Sequence, residues 1–342
     1  MRHRSLALIA VVIPVFSLAI LAASEEFKYQ LAKRVVLAGD GGWDYFDVDP
    51  DTGHVFIPRD SHILVVDKDL RKLADISGVA GAHAISFAPE LKKAFLSTEA
   101  SVSILDMETM KITGHVDLTD KDPDAILYDK FSRRVFTFNG GGTQDASAID
   151  AATGKIVGTV ALGGKPEFAQ TDLSGHIFVN VEDKSEVVEF DANTLSSLHA
   201  WPLAPCKEPS GLAIDVAHKR LFVGCRNQLM AVVDYTNGKV LATLPIGKGT
   251  DASRFDPGTG LAFASCGQGV INVVRENSPD RFSVVQAIAT ESGARTMALD
   301  QKTHAIYTVT ARMRPPASPT QQSPHPYPRP IPNTFTALAF AP

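Results

Sequence analysis

The chain has 342 residues and a formal net charge of −5, with 44% hydrophobic and 21% charged residues, an ordinary globular composition. A mildly acidic balance without any Lys/Arg run argues against general nucleic-acid binding, which selects basic surfaces. Three cysteines, with no Cys-x-x-Cys and no Cys-x-x-Cys-His, exclude a thioredoxin-like redox site and c-type haem attachment.

Residues Met1–Ser24 stand apart from the rest. Arg2 and Arg4 form a basic start, Leu6–Leu21 is apolar, and Ala22-Ala23-Ser24 offers small residues for cleavage before Glu25, the pattern of a secretory signal peptide. The alternative is an anchor that is kept, because Leu6–Ala23 is just long enough to span a bilayer. Pro14 and the small-residue end favour cleavage, and no Cys follows to carry a lipid. A periplasmic or secreted protein with no stable membrane span is therefore expected. Loss of the segment leaves the remaining chain two units more acidic.

The rest of the chain, residues 27–342, breaks into short runs bounded by Gly, Asp, Asn and Ser clusters, the pattern of antiparallel strands joined by hairpins. The clearest unit is Pro123–Leu162, with expected strands at Asp124–Asp129, Arg134–Asn139, Ala146–Asp150 and Lys155–Leu162. Aligning on the second strand places one aromatic in each of seven units: Phe56, Phe95, Phe136, Phe178, Phe222, Phe263 and Tyr307, at intervals of 39, 41, 42, 44, 41 and 44 residues. A period near forty with four strands per unit predicts one all-β domain, a seven-bladed β-propeller of four-stranded antiparallel blades. The first strands end at Asp49, Ala88, Asp129, Asp172, Asp215, Asp256 and Asp300.

The seventh unit has only three strands before the chain ends. Lys33–Ala38, followed by Gly39, matches the fourth strand of unit three, so the N-terminal strand is expected to pair into the last blade and close the ring. Two loops between second and third strands are long, Gly140–Asp145 and Met313–Pro332. The second carries eight prolines in twenty residues and is expected to be extended or disordered rather than part of a sheet.

The units resemble the YVTN repeat of the bacterial YncE-like propellers. The closest runs are Phe136-Thr137-Phe138-Asn139 and Tyr307-Thr308-Val309-Thr310, and the likeness extends through Pro205–Asp215 and Ala294–Asp300. The resemblance implies export and a seven-bladed fold. It implies no agreed chemistry, so no catalytic residue is carried over.

First strands of a propeller line its central channel. Five positions before each first-strand end stand Asp44, His83, Asp124, Glu167, Ser210, Asp251 and Arg295, expected to converge on the upper mouth as the ligand-binding site. Carboxylates crowded together raise each other's pKa and favour a bound cation or a basic partner. Asp44, Asp124, Glu167 and Asp251 are the candidate metal ligands. Oxygen donors suit Ca²⁺ or Mg²⁺, whereas His83 could join a Mn²⁺ or Zn²⁺ site. A hydrated polar ring, partly neutralised by Arg295, is the competing reading.

Other motifs carry less. Asp120-x-Asp122-x-Asp124 opens like an EF-hand loop, but Ala125 and Phe131 stand where Gly and Glu are needed. Gly247-x-Gly249 and Gly258-x-Gly260 precede no helix, and no Ser- or metal-hydrolase motif is present. Trp43 and Trp201 fall near the upper face, where Trp43 could stack on a ligand. Cys206 and Cys225 fall at one end of the unit-five hairpin and are expected to form a disulfide, leaving Cys266 as an inert, partly buried thiol. The expected function is a non-catalytic binding or scaffold module, monomeric, engaging a protein or small molecule of the cell envelope. The alternative is a lactonase-like hydrolase using a divalent cation at the mouth, against which stand the absent nucleophile and the lack of asparagine ligands.

Overall fold

A computed structural model describes residues 27–119, 121–316, 318 and 328–342. The leader-like segment Met1–Ser24, Asp120 and the tip of the Pro-rich loop lie outside the described residues. The described chain folds into seven four-stranded antiparallel sheets. Six are meanders of consecutive strands, for example Ala125–Asp129, Arg134–Asn139, Asp145–Asp150 and Ile156–Ala161 in blade 3.

The seventh sheet takes its outer strand from the other end of the chain. Gln30–Val36 pairs antiparallel with Thr336–Ala341, so the ring closes as the repeat count requires. Tyr29 anchors this strand: it is 2% exposed, meets Phe263 of blade 6 edge-on at 5.2 Å, and exchanges backbone hydrogen bonds with the Gln286 side chain.

The seven second-strand aromatics are all buried, each packed between neighbouring sheets. Their alternation is the two-residue period of a strand with one face on each adjoining blade. In every blade the aromatic sits opposite a first-strand residue, which fixes one register around the whole ring. Blade 6 departs from the pattern, since its outer hairpin, Val270–Ser278 and Arg281–Ala289, is longer than the others.

The Pro-rich insertion differs from expectation at its base. Met313 pairs with Pro330, Arg314 N donates to Arg329 O at 2.8 Å, and Ile331 N donates to Arg312 O at 2.7 Å. Proline lacks a donor, but its neighbours here supply the N–H groups that a short two-stranded stem needs. The stem is tied back to the start of blade 1, where Asn333 N donates to Gly39 O.

Cys206 and Cys225 form the expected disulfide, with Cα atoms 5.8 Å apart, and Cys266 is a buried thiol. Trp43 is not free to stack on a ligand. It is 8% exposed and packs on Phe335 at 5.4 Å beneath the surface. Trp201 is likewise blade packing, stacked on Phe178 at 6.1 Å.

Candidate functional site

His83, Glu167, Ser210 and Asp251 are each second in their first strands, where the ladder is irregular, and Asp44, Asp124 and Arg295 lie one to three residues before theirs. Register shifts interrupt pairing between Ala82 and Ala84, Pro166 and Ala169, Pro209 and Leu212, and Thr250 and Ala252. Such bulges turn a side chain out of the strand's alternation, here into the channel opening. Side chains of the preceding blade hold the positions in place. Ser97 Oγ donates to Asp124 O at 2.6 Å, Asn180 Nδ2 donates to Ser210 O at 2.8 Å, and Ser265 Oγ donates to Arg295 O. These donors lie two residues after the blade aromatic, a signal present in the sequence but not used to find the site.

The ring divides into three groups with different partners. The first is Asp44, His83 and Asp124. His83 Nδ1 lies 3.8 Å from Asp44 Oδ2 and 3.9 Å from Asp124 Oδ1, too far for hydrogen bonds. One ligand atom from each of the three lies within 4.8 Å of the others. Burial raises the pKa of both carboxyls, that of Asp124 to about 6, and the two carboxylates raise that of His83. Neither carboxylate accepts a hydrogen bond among the described residues.

The second group is Asp251, Arg295 and Ser210. Arg295 Nε meets Asp251 Oδ2 at 2.5 Å, while Ser210 Oγ and Tyr45 Oη donate to Asp251 Oδ1 at 3.1 and 3.2 Å. Asp251 is thus fully engaged. Arg295 also reaches Asp44 Oδ1 at 3.5 Å, leaving the other Asp44 oxygen turned to His83.

The third group is Glu167. Lys165 Nζ bridges Glu167 Oε1 at 2.7 Å and Glu182 Oε2 at 2.6 Å, and Arg226 Nε meets Glu182 Oε1 at 2.9 Å. Burial and the neighbouring Glu182 push Glu167 up to about 8, while Glu182 falls below the usual range. Glu167 is thus biased toward its neutral acid, has Lys165 on one oxygen, and is a weaker cation ligand than its position in the ring suggests. Of the four carboxylates expected as metal ligands, the structure brings Asp44 and Asp124 together with His83 and assigns Asp251 and Glu167 to protein partners.

A loop walls the mouth on one side. The Gly140–Gln144 turn joins two strands of blade 3 and packs against the residues leading into blades 3 and 4. A Cβ at Gly141 would fall on the Asp122 carboxylate, and one at Gly140 would press on Pro166 O at 3.0 Å. Lys121 Nζ pairs with Asp145 Oδ2 at 2.6 Å across this loop's base.

Below the mouth, Tyr45 and Phe168 meet at 4.9 Å and fill the channel axis. Beneath them opens a chamber of about 220 Å³. It is lined by the residues three positions after the mouth ring, among them Asp47, Ser86, Gln170 and Arg254.

No family model and no curated protein matches the chain. Among solved structures it is similar to hydrazine synthase of Kuenenia stuttgartiensis, with a TM-score of 0.69 and 12% sequence identity over 79% of this chain and 92% of that one. Similarity at that identity establishes the fold alone.

Proposed function

We propose that this propeller is a non-catalytic binding module that holds a divalent cation at its channel mouth, and that the surrounding upper face engages its partner. One observation carries the reading: one imidazole nitrogen faces an oxygen of each of two carboxylates at 3.8 and 3.9 Å, and Arg295 pairs only with the other oxygen of Asp44. Metal bonds of about 2.1–2.4 Å would span separations of this size with an ion between the three donors. A mixed nitrogen and oxygen set favours Mn²⁺ or Zn²⁺ over Ca²⁺ and Mg²⁺. Charge agrees: the acidic groups of the ring, Asp44, Asp124, Glu167 and Asp251, outnumber its basic ones, His83 and Arg295.

The likeness of the second strands to the YVTN repeat, together with the leader-like Met1–Ser24, supports placing this module in the periplasm or outside the cell. The partner-binding surface would be the rim formed by Gly140–Gln144 and the stem of the Pro-rich loop, both on the side of the ring that carries the mouth residues.

Thermal melts in EDTA and with added Ca²⁺, Mg²⁺, Mn²⁺ or Zn²⁺ test the site. Mn²⁺ or Zn²⁺ is expected to raise Tm in the native protein and not in Asp124→Asn. No shift with any of the four ions removes the cation site. Turnover of a lactone or ester by the metal-loaded protein would replace the binding reading with the hydrolase one.

A further inference from the structure

The chamber beneath Tyr45 and Phe168 is chemically distinct from the mouth above it. Its wall is formed by the first-strand residues that pair with the blade aromatics, as Asp47 does with Phe56, Gln170 with Phe178 and Arg254 with Phe263. Arg254 is the feature that needs an explanation. It is 9% exposed, it lies over the Phe168 ring at 4.9 Å, and Nη1 donates to Ser253 O at 3.0 Å. No carboxylate comes within 4.0 Å of it among the described residues. A guanidinium has five N–H donors, and a buried one with so few acceptors is costly unless something else meets it.

Two blades away on either side, the same chamber carries complementary groups. Asp47 lines the same chamber, with Oδ1 accepting Val48 N at 2.9 Å. Gln170 Nε2 donates to Leu212 O at 3.2 Å, leaving its carbonyl oxygen as an acceptor. Phe168 above and Phe255 in the wall add apolar surface, and the exposed Gln301 stands at the open end. We infer that the lower channel binds a small carboxylate bearing an amino or hydroxyl group, its carboxylate on Arg254 and its donor turned to Asp47. Planar, charge-assisted pairing of carboxylate with guanidinium supplies affinity, and the chamber's size limits the ligand to a few heavy atoms. Nothing in this inference depends on a cation at the mouth.

Glycine, glycolate and acetate are the probes, titrated into the full chain and followed by calorimetry and ligand-observed NMR. Glycine or glycolate is expected to bind, with acetate weaker because it lacks the donor. Arg254→Gln should weaken binding by about tenfold or more, the size of a lost charge-assisted hydrogen bond. EDTA should leave it unchanged. Since Arg254→Gln alters a buried position and could impair folding, two variants of exposed Gln301 provide a second measure: Gln301→Glu should weaken the carboxylate and Gln301→Lys should strengthen it. The inference is overturned if none of the probes binds up to about 10 mM. It is equally overturned if folded Arg254→Gln binds as the native protein does, if the Gln301 variants have no effect, or if EDTA abolishes binding.

Discussion

Asp44, Asp124, Glu167 and Asp251 occupy equivalent places in four blades, yet their neighbours give them different charges. Glu167 is the extreme case, pushed toward its neutral acid by burial and by Glu182, with its pKa up to about 8. A carboxyl whose folded-state pKa lies above its unfolded value contributes stability below the unfolded pKa, and loses it as pH rises through the folded one. The native protein should therefore lose stability at this site between about pH 5 and 9. Glu167→Gln imitates the protonated acid and has nothing to titrate. Its Tm should match the native protein near pH 4 and exceed it by a growing margin up to about pH 9, as thermal melts across that range would show; a constant difference at all pH values would contradict the assignment. Spacing alone located Glu167 at the mouth. It could not supply the charge state, because Lys165, Glu182 and Arg226 reach Glu167 and its partner from separate turns and strands.

Hairpins are the units that set where such side chains end up. The disulfide clamps the segment leading into blade 5, which carries Ser210, to the far end of that blade's second strand. Its residues are 19 apart, and closing a loop of that size in the unfolded chain is worth about 3 kcal/mol. Cys206→Ala/Cys225→Ala should therefore melt at lower temperature. Thiol titration gives a direct check. Cys266 is buried with its pKa pushed up to about 11, so the native protein should show no reactive thiol, the denatured protein one, and the denatured and reduced protein three. This pairing was legible because both cysteines fall at the same end of one hairpin, and hairpin register is a short-range property. The stem of the Pro-rich loop was not legible, because it depends on which neighbours of each proline keep a free N–H. Nor was the contrast between Trp43 and a free aromatic, since its cover, Phe335, lies at the other end of the chain.

At the scale of the ring, one register links three levels: aromatics between blades, a polar ring at the mouth, and a second ring three residues further down each first strand. The period of the aromatics made the first two visible, and the same counting leads to the third. What counting cannot give is which side chains share one chamber, and so the company of Arg254 with Asp47 and Gln170 emerged only from the folded molecule. All three levels depend on the ring being closed. The closing strand, Gln30–Val36, is largely exposed along its length, so its hold comes from the ladder to Thr336–Ala341 and from Tyr29 against Phe263 rather than from a buried face. Tyr29→Ala removes that anchor and should cost about 3 kcal/mol, in the range for truncating a buried aromatic. Deleting residues 27–36 goes further, because it leaves Thr336–Ala341 as an unpaired edge, and such edges recruit other chains. The deleted protein should melt earlier and elute as dimers or larger species, and light scattering coupled to size exclusion would measure both its mass and its spread. A deletion variant that stays monomeric with the native Tm would show that the blades hold together without closure, and the channel would then owe its shape to blade-to-blade packing alone.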